Sequence, residues 1–258
     1  MGTKTVVFIH GMYMTPLCWE QWAERFQVRG YNTLAPAWPG RDRSVKELQT
    51  PDASLGKLNL ADILEHMEKV IQALDEKPIL IGHSMGGLAA QLLLNHGLGS
   101  AAIAIDSAPP AGVFTTESSF LKSNWGHITP FADPNSPVVM TFERFQYAFV
   151  NGMELSEQRA AFEKYVVPES RAIPRQSLTS VGKVDFKKEH APLLLIAGGI
   201  DNIIPAALNR TNYEKYKASS SVTDFKEFPG RNHFLLGQKN WEEIADHCMD
   251  WIANKAGI

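Results

Sequence analysis

Ser84 stands at the centre of Gly-His-Ser-Met-Gly, residues 82–86, where the stretch ILIGHSMGGLAAQLLL (79–94) passes from a strand-like apolar run into a helix-like one. A serine in a turn ordinarily caps a helix or bonds its own backbone. The spacing Gly-x-Ser-x-Gly allows a second role. In a sharp strand-to-helix turn the serine takes a strained backbone geometry that only small neighbours tolerate, and its hydroxyl stands clear of the sheet as a nucleophile. The same turn aims the backbone N–H of Met85, at a helix N-terminus, toward the place where negative charge develops on an attacked carbonyl oxygen. The pentapeptide alone leaves cap and nucleophile even, and the flanking strand and buried helix favour the nucleophile. Attack by serine also needs a base that takes and returns a proton near neutrality, the range of histidine.

The elements that must position such a serine are legible in the hydrophobic pattern. The runs VVFIH (6–10), NTLAP (32–36), PILIG (78–82), AAIAI (101–105) and LLLIAG (193–198) are too short for helices and too continuous for one-faced strands. They are expected to be parallel strands buried on both faces. VTDFKEF (222–228) alternates and is expected to be an edge strand. Between them lie single-striped helices. Thr15 and Pro16 open the first, with Trp19, Trp22, Ala23 and Phe26 inward and Gly30 as its stop. Asn59 opens the second, striped by Leu60, Ile63, Leu64, Met67, Val70, Ile71 and Leu74. Residues 88–94 read as a helix packed deep against the sheet, and Trp241, Ile244, Ala245, Cys248 and Ile252 stripe the last. Alternating strands and helices imply an open, mostly parallel α/β sheet. In such a sheet ligands bind at the carboxyl ends of the strands, which is where Ser84 falls.

Residues 107–191 break this rhythm with aromatic-rich helical stretches such as MTFERFQYAFVNGM and SEQRAAFEKYVV. So long a connection implies an inserted helical cap, with residues 1–106 and 192–258 forming the core. Its aromatics, Trp125, Phe131, Phe142, Phe145, Tyr147 and Phe149, are core by default. Some are expected to face Ser84, and Tyr13, Trp38, Trp125, Met140 and Phe145 are the candidate apolar pocket residues.

Composition bounds the partners. The 258 residues carry a formal net charge of −3, with 44% hydrophobic and 21% charged residues and no run of like charge. That balance argues for a globular protein without a nucleic-acid or polybasic membrane surface. The two cysteines, Cys18 and Cys248, fall on helix stripes and are expected to be reduced and buried, which suits a cytoplasmic setting. No apolar leader follows Lys4, and no apolar run approaches the roughly 20 residues needed to span a bilayer.

At these residues the chain resembles the α/β-hydrolase superfamily over its whole length. VVFIHGMY (6–13) is similar to the family's strand ending in His-Gly, and the resemblance implies Met12 as the second oxyanion amide beside Met85. LLLIAGGID is similar to the late strand that delivers the acid, implying Asp201. FPGRNHF is similar to the loop that delivers the histidine, implying His233. The order Ser84, Asp201, His233 is the one this fold requires. Asp106, in AIAIDSAPP, also follows a strand and competes for the role of acid. Of the other histidines, His66, His96 and His247 read as surface or packing residues, and His10 is expected to shape the oxyanion loop by hydrogen bonding. His83 is too close in sequence to face Ser84, and His127 and His190 occupy no family-matched place. Two departures stand out: the chain begins at the His-Gly strand, without the family's first two strands, and PAWPGRDRS replaces its usual Asp-x-x-Gly-x-Gly-x-Ser loop.

The resemblance implies a serine hydrolase that cleaves a small to medium apolar carboxylic ester, or related acyl bond, through an acyl-serine. Its partners are an acyl substrate and water, with no metal or cofactor. Lactonase, acyltransferase, carbon–carbon bond hydrolase and cofactor-free perhydrolase or haloperoxidase chemistry are alternatives, as is a receptor that binds a small molecule in the capped pocket. Serine at the elbow disfavours the dehalogenase and epoxide hydrolase members, which use aspartate there.

Overall fold

In the computed structural model, which describes residues 4–50, 53–128, 133 and 136–255, one six-stranded parallel sheet runs through the chain. Only the backbone is described at residue 53 and residues 124–128. The strands are β1 (Thr5–Ile9), β2 (Asn32–Leu34), β3 (Ile79–His83), β4 (Ala101–Ile105), β5 (Leu193–Gly198) and β6 (Thr223–Phe228), in the spatial order β2-β1-β3-β4-β5-β6. Helices α1 (Glu20–Val28), α2 (Val45–Leu48), α3 (Leu60–Gln72) and α4 (Met85–Asn95) follow the early strands, and α9 (Ala206–Tyr216) and α10 (Glu242–Lys255) the late ones. Between β4 and β5 lie α5 (Ser118–Ile128), α6 (Phe142–Ala148), α7 (Leu155–Tyr165) and α8 (Ala172–Ser177), with an isolated antiparallel bridge between Val138 and Glu169.

Register fixes where the strands end. Ile9 pairs with Gly82, His83 with Ile105, and Ile105 with Ile196, so β1, β3, β4 and β5 finish at one edge. His10, Ser84, Asp106 and the turn that leads to Asp201 therefore leave the sheet side by side. Strands β3, β4 and β5 are buried throughout, as expected of parallel strands covered on both faces. The run at 32–36 differs from expectation: β2 keeps three residues, two of them exposed, because it is the sheet edge with β1 as its one strand neighbour. At the other edge, β6 is largely half-buried.

The helices follow their stripes with local adjustments. Thr15 Oγ1 accepts from the Leu17 N–H, but Pro16–Trp19 form a 3-10 turn before α1 proper, and Gly30 ends the unit at φ +85°. Trp19 stacks on Phe8 of β1 with ring centroids 4.8 Å apart, and Trp22 and Phe26 are buried beside it. Asn59 and Asp62 cap α3 reciprocally, while Val70 and Leu74 lie at the half-buried margin of its stripe. Trp241 is half-buried and precedes α10 instead of opening it. The central helix α4 is buried through Leu94. Its lone polar interior side chain, Gln91, donates to Ser107 Oγ and accepts from Asn212 Nδ2 and Tyr216 Oη, so no polar atom of it is stranded. Cys18 and Cys248 are buried free thiols. No helix among the described residues is long and apolar enough to cross a membrane.

Candidate active site

Ser84 occupies the N-cap position of α4 yet makes no side-chain capping bond. Its φ of 57° and ψ of −119° lie where residues with a Cβ rarely go, at a cost of about 1–3 kcal/mol, and such a geometry persists only where the surroundings impose it. They do impose it. The Ser84 N–H donates to the Ile105 carbonyl at 2.9 Å, and the Ser84 carbonyl accepts from Gly87 and Ala108 at 2.9 Å each. The glycines are sterically compelled: a Cβ on Gly82 would lie 2.0 Å from the Gly86 carbonyl oxygen, and one on Gly86 would lie 2.1 Å from that of Ile9. Gly11 sits against the serine itself, since a Cβ there would lie 2.8 Å from Ser84 Cβ. Met12 and Met85 thus directly follow two residues in mutual contact, Gly11 and Ser84.

His233, in the turn after β6, is enclosed. Its Nδ1 lies 2.6 Å from Asp201 Oδ2, and its carbonyl accepts from His83 Nε2 at 2.8 Å. Asp201 is itself held, its Oδ1 accepting from the Ile203 and Ile204 N–H groups at 2.7 and 2.9 Å. A carboxylate facing Nδ1 selects the tautomer with its proton on Nδ1, which leaves Nε2 as the basic nitrogen. That Nε2 is buried and has no hydrogen-bond partner among the described residues, Ser84 included. The His233 ring is wedged between His83, with ring centroids 4.7 Å apart, and the edge of Phe149 at 4.9 Å.

Asp106, the competing acid, also ends at this edge, with φ +42°. Its Oδ1 accepts from the Gly198 N–H at 2.6 Å and its Oδ2 has no partner among the described residues. Burial above all, and then the charge of Asp201, hold its carboxyl well above the usual carboxylate range. One polar atom from each of His83, Asp106 and His233 lies within 4.8 Å of the other two. His83 Nε2 and His233 Nδ1 are committed to hydrogen bonds, which leaves His83 Nδ1, Asp106 Oδ2 and His233 Nε2 without hydrogen-bond partners among the described residues. Burial first, then the neighbouring His233, keeps His83 neutral.

The loop after β1 is shaped by His10. Its Nδ1 donates to the Gly11 carbonyl at 2.9 Å, and its Nε2 accepts from the Trp38 N–H at 3.3 Å. Acceptance at Nε2 requires that nitrogen to be unprotonated, and with Nδ1 donating this is the neutral ring; burial lowers its pKa to about 3. Trp38 stacks on that ring at 4.2 Å. Tyr13, buried at φ +65°, meets Phe149 edge-on. Met140 is buried between two clefts, one of about 320 Å³ lined by Gln49, Val139, Phe162 and Val167, the other of about 220 Å³ lined by Lys122, Ser123, Arg144 and Tyr147. Phe145 is fully enclosed and stacks on Phe149, which separates it from His233. The side chain of Trp125 lies outside the described residues, as does Phe131.

Three features escaped sequence reasoning: the bond from His83 to the His233 carbonyl, the contact of Phe149 with the His233 ring, and a buried ion pair between Arg41 and Glu169. Phe149 belongs to an apolar stripe that reads equally well as core. Glu169 lies in an irregular stretch whose pattern carries no sign of burial.

Comparison with solved structures gives many likenesses, among them the following three over the full length of the chain. The monoacylglycerol lipase of Paleococcus ferrophilus is 19% identical at a TM-score of 0.68, covering 97% of this chain and 94% of its own. A variant of tomato methylketone synthase I, complexed with beta-ketoheptanoate, is 15% identical at 0.72, covering 99% of each chain. A pyrethroid hydrolase from Sphingobium faniae is 19% identical at 0.69, covering 100% of each. At these identities the likeness concerns the fold. No curated protein matched. A family model described as the alpha/beta hydrolase family matches residues 6–247, and the chain belongs to that family.

Proposed function

We propose that the protein hydrolyses carboxylic esters through an acyl-serine formed on Ser84. The observation that carries this reading is the strained, uncapped Ser84 at the same sheet edge as the Asp201–His233 pair. In the first half-reaction Ser84 Oγ attacks the ester carbonyl and its proton passes to His233 Nε2. The Met12 and Met85 amides hold the tetrahedral oxyanion, and collapse expels the alcohol, which takes the proton back from His233. Water then gives a proton to Nε2 and attacks the acyl group, and collapse of the second tetrahedral intermediate releases the acid while Ser84 Oγ takes that proton back from Nε2. Asp201 fixes the tautomer and stabilises the imidazolium without itself being protonated. The mechanism uses no metal or cofactor, and its partners are the acyl substrate and water.

Residues 107–191 form the cap over a core of 1–106 and 192–258 in this reading. Tyr13 and Trp38, packed at the loop after β1, and Phe149, packed on His233, support an apolar surrounding suited to small or medium esters; neither cleft at Met140 includes Ser84, Asp201 or His233. The named activities of the lipase and pyrethroid hydrolase relatives agree with ester cleavage. Lactones and transfer to other acyl acceptors would use the same acyl-enzyme and differ in what forms or resolves it. The test is labelling of Ser84 with a fluorophosphonate, followed by turnover of p-nitrophenyl esters of increasing chain length. Stoichiometric binding of the esters without turnover would favour a receptor.

A further inference from the structure

We propose that the buried Arg41–Glu169 ion pair positions the oxyanion loop, holding the Met12 amide in place beside Ser84; the proposal rests on the acyl-serine reading above. Tyr13, the residue after Met12, sits at φ +65°. A side chain with a Cβ stays there only where its surroundings over-determine the backbone. One short segment of the insertion grips it. The Tyr13 N–H donates to Glu169 Oε2 at 3.3 Å, and the Tyr13 carbonyl accepts from the Val167 N–H at 3.0 Å.

Glu169 is fixed in turn. Its backbone exchanges hydrogen bonds with Val138 at 2.7 and 2.9 Å. Its Oε1 accepts from the Ser170 N–H at 2.8 Å and from Arg41 Nη2 at 2.5 Å. Glu169 is 0% and Arg41 1% exposed. The Arg41 guanidinium is the buried counter-charge to the carboxylate that faces Tyr13, and removing it would leave that charge enclosed without its partner.

Arg41 links Glu169 to a second contact of the loop, through Trp38. Its N–H donates to the Trp38 carbonyl at 2.8 Å across a turn with Gly40 at φ +74°, and the Trp38 N–H in turn donates to His10. Residues 10–13 are therefore clasped between the turn at 38–41 and the segment at 167–169. The stretch PAWPGRDRS, the departure from the family's loop pattern, supplies the arginine. Stability alone is a weak reason for such a pair, since apolar replacements of buried ion pairs are often neutral or stabilising. An apolar replacement would remove the Glu169 acceptor from the Tyr13 N–H.

The test compares wild type with Glu169→Gln and with the double variant Arg41→Met/Glu169→Leu, which leaves no buried charge unpaired and guards against loss of folding. For each, kcat per fluorophosphonate-titrated site, KM and the affinity of a trifluoromethyl ketone that forms the tetrahedral adduct are measured on the full chain. Both variants are expected to lose about 10- to 100-fold in kcat with KM within about twofold, and to bind the ketone more weakly by the same factor. A folded double variant with wild-type kcat per site, or a change confined to KM, overturns the positioning role while leaving the acyl-serine reading intact. A wild-type protein that neither labels nor turns over any ester overturns both.

Discussion

His233 Nδ1 and Asp201 Oδ2 meet at 2.6 Å with both side chains fully enclosed, although 32 residues of chain separate them. The ends of β5 and β6 bring them together, and the Ile203 and Ile204 amides aim the carboxylate. Asp201→Asn keeps the shape but removes the counter-charge and disturbs the tautomer. Steady-state kinetics should show kcat falling by about 10⁴-fold with KM little changed. Near-normal kcat would remove Asp201 from the mechanism.

Asp106→Asn should be mild in kcat, because Asp106 Oδ1 is committed to the Gly198 amide while Asp201 holds His233. Its effect on stability should depend on pH. The folded carboxyl is held above its ordinary value of 3.8, so wild type has its full stability below that pH and loses it as pH rises and the unfolded chain alone ionises. The stability gap should therefore widen in favour of Asp106→Asn by about 1.4 kcal/mol per pH unit above pH ~4, until the native carboxyl also ionises. Urea denaturation at pH 4, 5 and 6 measures it, and parallel curves would contradict the assignment.

The elbow predicts a contrast between glycines. Gly82→Ala drives a Cβ to 2.0 Å from the Gly86 carbonyl oxygen and should cost about 3 kcal/mol or more, or abolish soluble expression. Gly97→Ala, at φ +80° with nothing within 4 Å, faces conformational strain alone and should cost about 1–2 kcal/mol. Thermal melts of the two decide it, and similar values would remove the steric explanation of the elbow.

For substrate preference, the apolar surroundings of the site predict faster turnover of short to medium p-nitrophenyl esters than of dianionic ones. The kcat/KM series measures this, and a dianionic ester as the better substrate would reverse the reading.

Much of this was legible in the sequence because parallel strands write themselves as continuous apolar runs. Ile79–His83, Ala101–Ile105 and Leu193–Gly198 stand where those runs do. Asn32–Leu34 misled because an edge strand inherits an apolar-looking run without the burial. The elbow was legible because Gly82, Ser84 and Gly86 are compelled within five residues. The bond from His83 to the His233 carbonyl and the Arg41–Glu169 pair were not, since each joins residues more than a hundred positions apart through a contact that leaves no periodic trace.

Every step proposed for the site passes through acylation of Ser84. Ser84→Ala, which removes one oxygen from an otherwise unchanged elbow, tests it by ester turnover and fluorophosphonate labelling on a folded sample. No labelling is expected, with a fall in kcat on the order of 10⁶-fold and a melting temperature held or raised as the hydroxyl is lost. A folded Ser84→Ala protein that keeps most of its turnover would contradict it.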